Sequence, residues 1–127
     1  MSAWASDVSA ITLFVDDLEA TKRFYDEVFA VPKVFEDSES VAYKVGGTVI
    51  NLLTTAAAHE LVTPAVVGAN GVGVRAQLTI TVDDVDALCE ELTGHGVTLL
   101  NGPMDRPWGV RTAAFQDPSG HVWEIAH

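Results

Sequence analysis

The chain has 127 residues, 48% of them hydrophobic, enough for one domain or for two fused half-domains that cannot stand alone. Seven Lys and Arg face eighteen Asp and Glu, a net charge of −11, which argues against a nucleic-acid partner because phosphate backbones are bound chiefly by cations. The apolar runs are too short and interrupted to span a membrane, residues 1–7 lack the basic and apolar segments of a signal peptide, and the one cysteine, Cys89, leaves no intrachain disulfide, so a cytoplasmic protein with no membrane partner is expected.

Ser9 to Val15 is rich in β-branched and aromatic residues and reads as a strand, with Ile11, Leu13 and Val15 on one face and Ala10, Thr12 and Phe14 on the other. Asp16 or Asp17 caps a helix from about Leu18 to Phe29, which Pro32 ends. Strands follow at Val34–Phe35, at Val41–Val45 and, after Gly46-Gly47, at Thr48–Leu53. Residues 56–75 read as a long irregular connector containing Pro64.

The order then repeats. Gln77 to Val82 is a strand, with Leu78, Ile80 and Val82 on one face and Gln77, Thr79 and Thr81 on the other. Asp83 or Asp84 caps a helix whose stripe is Val85, Leu88, Cys89 and Leu92, and Gly94 or Gly96 stops it. Val97–Leu100 is a short strand and Asn101 to Gly109 a loop. Arg111–Gln116 and His121–Ile125 pair as a hairpin across Asp117-Pro118-Ser119-Gly120. Gly71-x-Gly73 lacks the strand–turn–helix context of a dinucleotide site, and Cys89 reads as a buried small hydrophobe.

Each half is therefore β-α-β-β-β, and the sequence itself echoes the repeat. Val15-Asp16-Asp17-Leu18-Glu19-Ala20 returns 67 residues later as Val82-Asp83-Asp84-Val85-Asp86-Ala87 (15 to 82). Gly47-Thr48-Val49-Ile50-Asn51-Leu52 returns 73 residues later as Gly120-His121-Val122-Trp123-Glu124-Ile125 (47 to 120). The pattern predicts an α+β domain of two paired βαβββ modules, about residues 8–55 and 76–126.

The paired modules, the Phe24-Tyr25 pair and the Asp117-Pro118-x-Gly120-x-x-x-Glu124 ending resemble the vicinal oxygen chelate superfamily, over about residues 8–126. That group holds glyoxalase I, extradiol dioxygenases and the fosfomycin and bleomycin resistance proteins. The resemblance implies curved mixed sheets around a cavity, a homodimer, and in the metalloenzymes a divalent metal held by His or Gln, Glu, His and Glu. Matched residue by residue, those four positions are Ala10, Asn51, Gln77 and Glu124, and the internal offsets pair Ala10 with Gln77 and Asn51 with Glu124.

One of these residues has no donor atom, two are neutral amides and one is a carboxylate, a poor set for a catalytic divalent metal. His59, His95, His121 and His127 show no ligand-pair spacing and read as surface residues. A metal-independent small-molecule binding protein of the glyoxalase/bleomycin-resistance type is therefore expected, with no cofactor. Its ligand would be organic, polar, aromatic or cationic, and its cavity lined by Phe14, Asn51, Gln77, Trp108, Arg111 and Glu124. If the hairpin sets Gln116 opposite His121, Arg111 lies one diagonal step from Glu124 and pairs with it; otherwise Arg111 is a solvated strand-end charge. Trp108 reads either as a stacking platform at the cavity mouth or as a loop residue packed on its own hairpin. The alternative function is a lyase, isomerase or dioxygenase, using a divalent metal or, without one, Glu124 as a catalytic general base.

Overall fold

The computed structural model describes residues 4, 5 and 7–127; most of the stretch read for a signal peptide lies outside them. The chain divides into two compact units, Met1–Gly68 and Ala69–His127.

The first unit carries β1 (Ala10–Val15), α1 (Leu18–Phe24), β2 (Lys33–Glu36), β3 (Ser40–Val45), β4 (Thr48–Thr54) and α2 (Thr55–Val62). Its sheet runs β1-β4-β3-β2, with β1 parallel to β4 and the other pairs antiparallel. Asp17 caps α1, its carboxylate accepting the Ala20 N–H at 3.0 Å. The helix continues through Tyr25–Phe29 as a wider π-type turn in which the Ala30 N–H reaches back to the Tyr25 carbonyl at 3.1 Å. That turn stacks Phe29 on Tyr25, ring centroids 4.8 Å apart, and Tyr25 in turn lies 5.7 Å from Tyr43 of β3. The apolar face of the sheet, Leu13, Val15, Val41, Tyr43, Ile50 and Leu52, is buried there with Thr21 and Tyr25.

The second unit repeats the plan with β5 (Gln77–Thr81), α3 (Val85–Gly94), β6 (Leu99–Asp105), β7 (Arg111–Gln116) and β8 (Val122–Ala126). Its sheet order, β5-β8-β7-β6, matches the first, again with one parallel pair, β5 and β8. Asp84 caps α3 as Asp17 caps α1, so in each Asp-Asp pair the second residue is the cap. Val85, Cys89 and Leu92 form the buried stripe of α3 at helical spacing, and burial pushes the Cys89 thiol up from its ordinary value.

Two expected elements differ. The connector is not irregular throughout, because Thr54 caps a helix on Ala56-Ala57-Ala58, a strongly helix-forming run that ends before Pro64. The Asn101–Gly109 loop is shorter than expected, because β6 runs on to Asp105 across a bulge between Asn101 and Met104. No helix among the described residues is long and apolar enough to cross a membrane.

Candidate functional site

In the second unit the strand register sorts side chains onto two faces. Gln77 pairs with Val122, Thr79 with Glu124, Ala114 with Glu124 and Thr112 with Ala126, so Gln77, Thr79, Thr112, Ala114 and Glu124 share one face. Asn101 and Met104 of β6 join it opposite Ala114 and Thr112. This face is turned away from α3. Glu124 is half-buried there, and its Oε1 accepts the Thr79 hydroxyl at 3.0 Å. Gln77 is exposed and stands diagonally from Glu124.

Arg111 is not on this face, which corrects the expected Arg111–Glu124 contact. β7 pairs Gln116 with Val122 rather than with His121, and a one-residue slip moves every side chain of a strand to the opposite face. The slip comes from the turn. Asp117–His121 is a five-residue loop, in which the Asp117 N–H donates to the His121 carbonyl at 2.9 Å and the Gly120 N–H to the Asp117 carbonyl at 3.0 Å. Arg111 therefore points to the α3 side. Its Nε and one terminal nitrogen grip Asp86 at 2.7 and 2.8 Å, and the other reaches Asp105 at 3.1 Å.

Those hydrogen bonds hold the Asp86 carboxyl below its ordinary value of 3.8. A group with a depressed folded pKa stabilises the fold above its unfolded value and loses that contribution as pH falls through the folded value. Asp86→Asn is thus expected to flatten the fall in denaturation midpoint below pH 3.8 relative to the unsubstituted chain. Parallel curves for the two proteins would show that the pair carries no such linkage.

The cation on the Glu124 face is Arg106, a residue of the expected Asn101–Gly109 loop. Its Nε donates to the Thr112 hydroxyl at 2.8 Å and a terminal nitrogen to the Asn101 side-chain oxygen at 3.1 Å. Its guanidinium lies 5.8 Å from the Trp108 ring centroid, within reach of a cation–π contact. Trp108 itself is 70% exposed, so it is displayed rather than packed away on its hairpin. The display follows from turn chemistry. In Arg106-Pro107-Trp108-Gly109 the Gly109 N–H donates to the Arg106 carbonyl at 3.0 Å, with proline at the second position, where its fixed φ fits. The same x-Pro-x-Gly turn recurs as Asp117-Pro118-Ser119-Gly120, with glycine φ values of 94° and 86°. That repeat was the available signal: two matched turns bracket β7 and together set its register.

In the first unit, Asn51 of β4 lies opposite Thr12 of β1 and Ala42 of β3, and Phe14 lies opposite Leu53. Ala10, Thr12, Phe14 and Asn51 therefore share the face turned away from α1, and Phe35 joins them opposite Ala42. Ala10 stands diagonally from Asn51 as Gln77 stands from Glu124, so the two units place their paired positions at equivalent registers.

His121 is not the surface residue expected: it is largely enclosed, its Nδ1 lying 3.1 Å from the Asp117 carboxylate. His127 is exposed as expected, and the Val85 N–H donates to its Nδ1 at 2.9 Å. Both serve local structure, as partners of a hairpin carboxylate and a helix N-terminus. Among the described residues no group of three or more His, Cys, Asp and Glu is placed to hold a metal ion. The residues at the four positions, a methyl, two amides and one hydroxyl-bonded carboxylate, do not fit the divalent metal that the resemblance implies.

A sequence profile described as the glyoxalase/bleomycin resistance protein/dioxygenase superfamily matches residues 8–125. A glyoxalase-related enzyme from Fulvimarina pelagi is 34% identical, with a TM-score of 0.82 over 96% of this chain and 88% of that one. A glyoxalase/bleomycin resistance protein/dioxygenase from Nocardioides superposes with a TM-score of 0.88 at 20% identity, covering 98% of this chain and 85% of its own. A lactoylglutathione lyase from Agrobacterium tumefaciens reaches 0.78 at 21% identity, over 96% and 93%. At those two lower identities the likeness is one of fold. With its two βαβββ units, each built on one sheet order, and the profile match along nearly its whole length, the chain belongs to the glyoxalase/bleomycin resistance protein/dioxygenase superfamily.

Proposed function

We propose that the chain is a small-molecule binding protein of the glyoxalase/bleomycin-resistance type that holds an organic ligand without a catalytic metal. The observation that carries this reading is the donor set: at the family's four ligand positions stand Ala10, Asn51, Gln77 and Glu124, and Glu124 is already engaged by Thr79. Amides, hydroxyls and a displayed indole recognise an organic molecule by hydrogen bonding and stacking, whereas they are weak ligands for a Lewis-acid metal. In this reading Gln77, Thr79, Glu124 and Trp108 are the contributing residues of the second unit.

Titration calorimetry on protein stripped with chelator tests it. Ni²⁺ and Zn²⁺ are expected to give no saturable one-to-one heat, and to leave the melting temperature unchanged, because only a ligand that prefers the folded state raises it. Tight stoichiometric Ni²⁺ binding that disappears in Glu124→Gln would overturn the reading in favour of a metalloenzyme.

A further inference from the structure

Arg106 is anchored without being neutralised. Lys22, Lys33 and Arg111 each sit within 4.0 Å of carboxylates, whereas Arg106, like Arg23, Lys44 and Arg75, forms no ion pair to a carboxylate among the described residues. Its neighbours are neutral oxygens instead. Thr112, whose hydroxyl accepts from Nε, is 1% exposed, and Asn101 takes one N–H of a terminal nitrogen. A guanidinium has five N–H donors, so these two bonds fix its plane and leave three donors for something else. Both anchors belong to the Glu124 face, which puts the guanidinium on that face. Trp108 overlies it and is mostly exposed, offering its ring to a planar group beside the cation.

A neutrally anchored Arg is preorganised for an oxyanion, because a bidentate pair with a carboxylate needs a fixed fork and no competing internal charge. The adjacent indole adds a preference for a flat, aromatic body. We infer that the ligand of this face is an aromatic carboxylate, its carboxylate held by Arg106 and its ring stacked on Trp108. This rests on the ligand-binding reading given above and names the class of ligand. Glu124, opposite Ala114 on β8, is engaged by the Thr79 hydroxyl and makes no ion pair with Arg106.

The test compares benzoate with its neutral isostere benzamide, following the Trp108 indole N–H and the backbone amides of residues 77, 79, 101 and 124 by NMR. Benzoate is expected to shift the Trp108 and Asn101 resonances saturably and to bind about tenfold or more tightly than benzamide, the difference of one charge-assisted pair. Arg106→Gln is expected to remove that preference. Arg106→Lys, which keeps the charge, is expected to restore part of it, and this second variant guards against loss of the Thr112 anchor. Equal binding of benzoate and benzamide, or a preference that survives in Arg106→Gln, would overturn the inference but leave the ligand-binding reading standing, since an aromatic probe would still bind this face. No shift by either probe at any of these residues would overturn the inference and count against the reading itself.

Discussion

Gly102→Ala is expected to destabilise the second unit by about 4 kcal/mol, the sum of a left-handed backbone cost and overpacking against an immobile neighbour. Gly102 has φ +84° and lies in the bulge of β6. A Cβ there would overlap the Thr112 carbonyl oxygen and sit 2.7 Å from the Ala113 Cα and 2.9 Å from its Cβ. These atoms belong to a buried strand, so the clash cannot be relieved by turning a side chain. Gly109→Ala is the control. Its φ is +94° but nothing lies within 4 Å of the added Cβ, so only the conformational cost of roughly 1 kcal/mol applies. Denaturant midpoints of the two variants measure the difference. Equal midpoints would mean that β6 is free to move away from β7. Because Asn101 precedes Gly102 directly, the same substitution is expected to loosen the Arg106 anchor.

Asp117→Ala is expected to cost about 3 kcal/mol, since it removes a charged acceptor and leaves buried donors unpaired. The Asp117 side chain is 0% exposed. Its Oδ1 accepts the Ser119 and His121 N–H groups, both at 2.9 Å, and Oδ2 faces His121 Nδ1 at 3.1 Å. The carboxylate thus ties together the five residues that set the β7–β8 register. Asp117→Asn keeps an oxygen for the two backbone donors and is expected to cost about half as much. Thermal melts distinguish them: a loss of ~3 kcal/mol corresponds to about 10 °C in a domain of this size. If alanine and asparagine melt together, the backbone bonds to Oδ1 do not hold the turn. Side chains on the far face depend on this turn only through register, so both variants also report on how firmly Thr112 and Ala114 are kept beside Glu124.

Much of this architecture was legible in the chain. The doubled Val-Asp-Asp motif marked both helix caps, because a short carboxylate beside the first helical residue satisfies an orphan N–H whatever the rest of the molecule does. The alternation along β1 and β5 placed Phe14 and Gln77 on faces opposite the apolar core, since period two is a property of the strand alone. The offsets of 67 and 73 residues paired Ala10 with Gln77 and Asn51 with Glu124, and the registers place these pairs diagonally in each sheet.

Which arginine belongs beside Glu124 was not legible in the same way. Alternation within β7 says only that Arg111 and Thr112 face opposite ways; it does not say which faces Glu124. That depends on whether the Asp117 turn spans four residues or five, and the hydrogen bonds of Asp117 and Gly120 make it five. Strand partners are remote in sequence, so one added loop residue reverses the face of a whole strand without changing its pattern. The same length in the Arg106 turn sets Asp105 against Arg111 and brings the Arg106 guanidinium to Asn101 and Thr112. The scaffold follows from the chain alone, because caps and alternation are local; the four family positions follow from the resemblance, and the internal offsets pair them. Only long-range strand pairing sends Arg111 to the helix side and Arg106 to the face of Glu124.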